Sequence, residues 1–61
     1  MRLTEDAIIQ LTALCHDNPF KIPNRERYIA HGIELALTRA GFDKDQTEVF
    51  AKIRSSFDPI F

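Results

Sequence analysis

The sequence has few of the residues that build catalytic, metal or cofactor sites. Its single cysteine, Cys15, excludes an internal disulfide and a cysteine-rich zinc site. Its two glycines, Gly32 and Gly41, lie in neither of the spacings used by glycine-rich phosphate-binding loops. No long uninterrupted apolar run is present, so we expect neither a signal-peptide core nor a membrane-spanning helix. These absences predict a cytoplasmic protein with no cofactor, no metal and no small-molecule substrate.

Net charge and length further limit the partners and the folds that the chain can have. The net charge of −1 gives the 61-residue chain no general attraction to nucleic acid or to an anionic membrane. A hydrophobic fraction of 44% and five phenylalanines are typical of a chain that folds, and the length fits one domain over residues 1–61. A domain of this size buries only about 60% of the surface that its unfolded chain exposes, so its core is small and oligomerisation is a realistic way to stabilise it.

Hydrophobic spacing and helix-end signals predict an all-α domain of three helices, over residues 5–17, 25–40 and 44–56. Thr4 and Asn24 are typical N-caps for the first two helices, and Asn18-Pro19 ends the first. Gly41 is expected to end the second helix in a left-handed conformation, with Phe42 packing back onto Leu37. Asp43 is expected to cap the third helix and to form a capping box with Gln46.

Each predicted helix carries an apolar face that we expect to be buried. Gly32 lies in the middle of the second helix, where a glycine costs about 1 kcal/mol relative to alanine, and a close approach of another backbone is its simplest rationale. Phe20 and Ile22, in the proline-bounded connection, are expected to cover the core. The expected buried faces are Ala7, Ile8, Leu11, Leu14 and Cys15; Ile29, Ile33, Ala36, Leu37 and Ala40; and Val49, Phe50, Ile53 and Phe57.

The residues with reactive side chains favour structural roles. Cys15 falls on an apolar helix face and is expected to be a small core residue, while His31 falls off the main apolar face of its helix. The acidic group after Gly41 is expected to interact with the positive end of the third helix dipole. Three short helices rarely enclose a pocket with converging polar groups, so we predict no catalytic activity.

Surplus apolar residues indicate a protein-binding function. Tyr28 and Leu35 flank the main apolar face of the long helix, which is too apolar for two neighbours to cover completely. Ile60 and Phe61 end the chain after a proline and are expected either to fold back onto the core or to anchor another molecule. The sequence thus predicts a non-catalytic protein-interaction or regulatory module, with a homodimer as the expected assembly.

A nucleic-acid-binding regulator is the disfavoured alternative. Its contacts would come from Arg25, Arg27 and Tyr28 at the start of the second helix, together with Arg39. The glycine-containing turn before the third helix is similar to that of a helix-turn-helix motif. However, the start of the following helix is acidic, and its carboxylates would face the phosphates of a bound duplex.

Overall fold

The chain forms three α-helices in the computed structural model, which describes residues 1–57. They are α1 (Glu5–His16), α2 (Arg25–Ala40) and α3 (Lys44–Ser56), and there is no strand between residues 1 and 57. The predicted all-α, three-helix domain is therefore confirmed, and the helix bounds agree with the prediction except that α1 ends one residue earlier.

Two of the predicted helix ends have the expected hydrogen bonds. The Thr4 hydroxyl accepts a hydrogen bond from the Ala7 amide at 3.1 Å and caps α1. At the end of α2, Gly41 is left-handed with φ of 82°, and the Gly41 amide donates to the Thr38 carbonyl. The Phe42 amide donates to the Leu37 carbonyl at 3.0 Å, which completes a Schellman motif and turns the chain toward α3.

The predicted capping box at α3 is wrong. Asp43 occupies the N-cap position, but its side chain accepts no hydrogen bond from the helix. Arg2 instead binds the Asp43 carboxylate at 3.1 Å, and the Gln46 side chain donates to the Leu3 carbonyl and accepts from the Leu3 amide. The N-terminal segment thus crosses the start of α3 and takes the polar groups that a box would have used. Asn24 likewise precedes α2 without a side-chain cap, in a left-handed conformation.

The core lies where α2 packs against both other helices. Four apolar residues are buried there. The largest fully buried side chains among them are those of Phe50 from α3 and Cys15 from α1. Helix α2 contacts α3 more extensively than it contacts α1, so α2 is the central element. The buried apolar residues are Cys15, Ala30, Leu37 and Phe50, and the partly buried residues packed against them are Leu3, Ile8, Leu11, Ile29, Ile33, Phe42, Val49 and Ile53.

Several residues of the expected apolar faces are exposed. Leu14, Ala36, Ala40 and Phe57 all lie outside the core. The reason is that neighbours cover only part of each helix: a step of one residue turns the helix by about 100°, which carries Leu14 away from the core that its neighbour Cys15 enters. The Phe57 ring, just past α3, lies 6.0 Å from the ring of His16 instead.

The expectation that Phe20 and Ile22 cover the core is wrong. Phe20 is 85% exposed and Ile22 is half exposed. The cause is the side chain of Asn18, whose amide group donates to the Ile22 carbonyl and accepts from the Ile22 amide, both at 2.9 Å. These bonds hold the connection in a compact turn, which keeps its apolar side chains away from the core.

Candidate interaction surface

The face of α2 opposite the core consists of Tyr28, Gly32, Leu35 and Arg39, which we call the outer face. Their spacing of four, three and four residues places them on one side of the helix. Tyr28 is 66% exposed and Leu35 is 38% exposed, so Tyr28 is largely accessible and Leu35 is accessible in part. An aromatic and an aliphatic side chain are thereby presented one above the other on a regular helix.

The centre of the outer face is open. A Cβ atom built on Gly32 would meet no heavy atom within 4 Å, so the expected close backbone approach at this glycine does not occur within the described part of the chain. Ala36, one turn further along, is also exposed. These two small residues add little side-chain bulk to this part of α2.

The exposed charges on this side of α2 are positive. Glu26 and Glu34 are the two acidic residues of the helix, and both point elsewhere. Glu26 accepts a hydrogen bond from the Asn18 side chain at 3.1 Å, while Glu34 is partly buried 3.6 Å from the Arg54 Nε atom. The outer face therefore combines apolar side chains with Arg39 and carries no carboxylate.

The connection between α1 and α2 presents Phe20 on a hydrogen-bonded loop. Besides the two Asn18–Ile22 bonds, the Arg25 Nε atom donates to the Asp17 carbonyl at 2.8 Å. Hydrogen bonds from its own backbone amide and from Asn18 hold the pKa of Glu26 below its ordinary value, so this carboxylate is ionised at neutral pH. These contacts link the start of the loop to α2 and hold the loop backbone, while the Phe20 side chain is 85% exposed.

The four residues expected to contact nucleic acid do not all lie on one side of α2: by helical spacing Arg25, Tyr28 and Arg39 share the outer side, whereas Arg27 does not. Arg25 and Arg27 are two positions apart and therefore lie about 200° apart around α2. Arg25 is engaged with the Asp17 carbonyl, and Arg39 lies about four turns from the helix start. The structure brings together a different set, a cleft of about 260 Å³ lined by Arg27, Tyr28, His31 and Arg54, which we call the arginine cleft.

The cysteine and the histidines are separated by the fold. Cys15 is fully buried, and burial raises the pKa of its thiol above the ordinary value, as for an inert core cysteine. His16 and His31 are exposed on different helices. Across residues 1–57 no three side chains of histidine, cysteine, aspartate or glutamate come close enough together to bind a metal ion.

The acidic group expected to interact with the α3 dipole has a further partner. Arg2 lies 2.9 Å from Asp45 and 3.1 Å from Asp43, and these carboxylates raise the pKa of its guanidinium. Both pairs are exposed, so each contributes little to stability. The N-terminal ammonium group also lies 3.6 Å from Asp43, so the two carboxylates at the junction of the N-terminal segment and α3 are balanced by two positive charges.

Two of the predicted contact residues, Ile60 and Phe61, lie outside the described residues. Among residues 1–57 no helix has both the length and the apolar character needed to cross a membrane. The comparisons with known proteins add no relative: no family model, no curated protein and no solved structure matches this chain.

Two residues important to these surfaces were not singled out from the sequence. In the sequence, Arg54 is one of several polar residues of α3 and has no distinguishing pattern around it. Only the packing of α3 on α2 places it in the same cleft as Arg27. Asn18 was a helix-ending residue before a proline. The Asn-Pro pair with an apolar residue four positions after the asparagine was a usable signal, since asparagine side chains commonly bond the backbone of a following turn.

Proposed function

We propose that this protein is a non-catalytic protein-interaction module of the cytoplasm, which binds its partner through the outer face of α2. The observation that carries the proposal is the pair Tyr28 and Leu35, exposed one above the other on the side of α2 that faces away from the core. Exposed aromatic and aliphatic side chains on a rigid element are the usual anchors of protein interfaces.

Gly32 supports the same proposal. A glycine within an exposed helical surface destabilises the free helix, and nothing in the described chain packs on it. On a binding face the missing side chain lets a partner helix approach closely between Tyr28 and Leu35. Gly32 therefore lowers the stability of the free helix, and closer contact with the partner would offset this loss in the complex.

The charge of the outer face favours a partner that carries carboxylates beside its apolar side chains. In a two-fold homodimer with antiparallel α2 helices crossing at Gly32, Arg39 of one copy would lie near Arg25 of the other, seven positions to either side of the glycine. Such like-charge contacts oppose association. We therefore propose a different, acidic protein as the partner, with the homodimer expected from the sequence as the alternative.

Affinity capture with matched variants tests this proposal. Leu35→Asp places a carboxylate at the centre of the outer face, and Ile9→Asp makes the same change at an exposed isoleucine of α1. We expect immobilised wild-type protein and Ile9→Asp to retain the same partner from extract of the source cells, and Leu35→Asp to lose it. Equal capture by all three proteins, or loss only with Ile9→Asp, would contradict the proposal.

Sedimentation of the pure protein at high micromolar concentration separates the two partners. A monomer is expected if the partner is a different protein. A dimer that Leu35→Asp dissociates would instead identify a second copy as the partner on the same face.

A further inference from the structure

We infer that the partner of the outer face is an amphipathic helix that crosses α2 at a small angle and carries an acidic residue about seven positions to each side of a small residue. The inference rests on the proposed function and specifies the partner from the order of residues along α2. Helical spacing puts Arg25 on the side of the outer face, which then reads Arg25, Tyr28, Gly32, Leu35 and Arg39. The glycine is central, with one arginine seven positions to either side.

Both arginines present a positive charge at the ends of this row. Arg39 is exposed in the last turn of α2 and has no hydrogen-bond or ion-pair partner within the described part of the chain. Arg25 donates from Nε to the Asp17 carbonyl at 2.8 Å, and a carbonyl has no formal charge to neutralise the guanidinium. Glu26 is turned about 100° away from Arg25 around the helix and accepts a hydrogen bond from Asn18. A partner on the outer face therefore meets a positive charge at each end.

The separation of the two charges determines the shape of the partner. They are fourteen positions apart, which is about 21 Å along the helix axis. A single helix of about fifteen residues spans this length, and its residues seven positions apart fall on one side. Helices that cross at about 50° are displaced sideways by roughly 8 Å at each end of this span, and those that cross at about 20° by roughly 4 Å. The smaller angle keeps both ends within reach of arginine and glutamate side chains.

Gly32 sets the point where the two helices are closest. A Cβ atom built there meets no heavy atom within 4 Å, and Ala36, one turn further along, is exposed. The side chains at the contact decide the distance between two packed helices, about 8–10 Å in general, so the closest approach needs a small residue of the partner opposite this glycine. Tyr28 and Leu35, one turn to either side, then contact apolar residues three or four positions from that small residue.

A second copy of this chain lacks the required pattern. Its own outer face has arginines at the positions where the partner needs carboxylates, so two copies would bring like charges together at both ends of the crossing. The complementary order is carboxylate, apolar, small, apolar, carboxylate. This order is symmetric about the small residue and therefore fits a partner helix that runs parallel or antiparallel to α2.

Synthetic helical peptides test the inference. Each has about 20 residues, with Glu–Lys pairs on the side away from α2 to hold the helix, a central alanine, and leucines three and four positions from it. The acidic peptide has glutamate seven positions to each side of the alanine, the neutral peptide has glutamine there, and two mixed peptides have lysine at one end or the other. We expect the acidic peptide to shift the amide resonances of residues 25–39 and to bind at least about threefold more tightly than the neutral peptide.

A charge exchange at Arg39 identifies the ion pair and the direction of the partner helix. Arg39→Glu should prefer one of the two mixed peptides to the acidic peptide, and the end at which that peptide carries lysine shows whether the helices run parallel or antiparallel. Lys52→Glu makes the same charge change at an exposed residue of α3 and should keep the wild-type order of affinities. Leu35→Asp should weaken binding of every peptide at least about tenfold.

Three results would overturn the inference. They are no binding of any peptide at about 1 mM, equal affinity of the acidic and neutral peptides, and the same change of order in Arg39→Glu and Lys52→Glu. Duplex DNA that displaces the acidic peptide and shifts the same resonances would assign the two arginines to a nucleic-acid surface instead. The proposed function fails separately, when capture of a partner from extract is insensitive to Leu35→Asp. If that capture is lost as expected while the peptides show no order of affinity, the outer face binds a protein by another element than an acidic helix.

Discussion

Gln46 shows how one polar side chain can connect distant parts of a small domain. It is buried at the start of α3, and its amide group makes two hydrogen bonds with the backbone of Leu3, at 2.7 Å and 2.9 Å. These bonds satisfy both backbone polar groups of Leu3, which packs against the core. The N-terminal segment is thereby held over the start of α3 by hydrogen bonds from its backbone to the Gln46 side chain.

We predict that Gln46→Ala lowers the free energy of unfolding by about 2 kcal/mol, because it leaves the partly buried amide and carbonyl of Leu3 without partners. Gln10→Ala is the matched control, since Gln10 is exposed and, within residues 1–57, its side chain bonds only to Asp6 in the preceding turn. That control should change stability by less than about 0.5 kcal/mol. Urea denaturation of both variants measures the difference, and equal effects would show that the Leu3 bonds contribute nothing.

Cys15 gives a prediction about reactivity and pH. Burial raises the pKa of its thiol, so the folded protein holds the proton more tightly than the unfolded chain does. The resulting stabilisation is fully present at pH values below about 8.5, the pKa of the thiol in the unfolded chain. It is lost as the pH rises from there through the higher pKa of the folded state. We expect a thiol reagent at pH 8 to react slowly with the native protein and quickly in denaturant; equal rates would contradict the buried position.

The two glycines of the central helix have opposite structural roles. Gly41 ends α2 with φ of 82°, a conformation that side chains with a Cβ rarely adopt. Gly32 has ordinary helical surroundings, and its Cβ position is empty. Substitution by alanine at each position therefore distinguishes a glycine required by the backbone conformation from a glycine required by a binding interface.

Gly32→Ala should stabilise the free protein by roughly 0.5–1 kcal/mol, and Gly41→Ala should destabilise it by about 1 kcal/mol. Thermal unfolding of the two variants measures both signs. If the outer face of α2 receives a partner helix, Gly32→Ala should also weaken partner capture although the protein itself is more stable. A stabilised variant with unchanged capture would mean that no backbone approaches Gly32 in the complex.

Helix positions could be read from the sequence because their signals are local. The Thr4 cap, the Asn18-Pro19 break and the left-handed Gly41 each act within one turn of the residue concerned, and all three helices begin and end within one residue of the prediction. The capping box failed because Arg2 and Leu3, more than forty positions away, bind Asp43 and Gln46. No local pattern contains that competition.

The surface could be predicted in part for the same reason. Helical spacing alone puts Tyr28 and Leu35 on one side of α2, and the structure shows them exposed there. The direction of Phe20 depends on two bonds of Asn18, and the arginine cleft depends on how α3 packs on α2. Spacing within one helix gives no information about the side chain that a second helix contributes.

At the scale of the whole molecule, charge is divided between two regions. Asp43 and Asp45 lie with Arg2 where the N-terminal segment meets α3, whereas the outer face of α2 has Arg39 and no carboxylate. The two carboxylates of the first region are balanced by Arg2 and by the N-terminal ammonium group, which lies 3.6 Å from Asp43. The second region has a positive charge that would attract the proposed acidic partner. If the partner is acidic as proposed, the positive charge would favour its approach to Tyr28 and Leu35, and raised salt should slow association more than dissociation.

Site-specific photo-cross-linking tests the central claim most directly, that α2 binds a protein through its outer face. A photoreactive phenylalanine analogue at position 35 is compared with one at Lys52, an exposed residue of α3. In extract of the source cells, we predict one discrete cross-linked product from position 35 and none from position 52. Excess unlabelled wild-type protein should abolish the product, and excess Leu35→Asp should not. Cross-linking of equal strength at both positions, or a product that both competitors remove equally, would contradict the account.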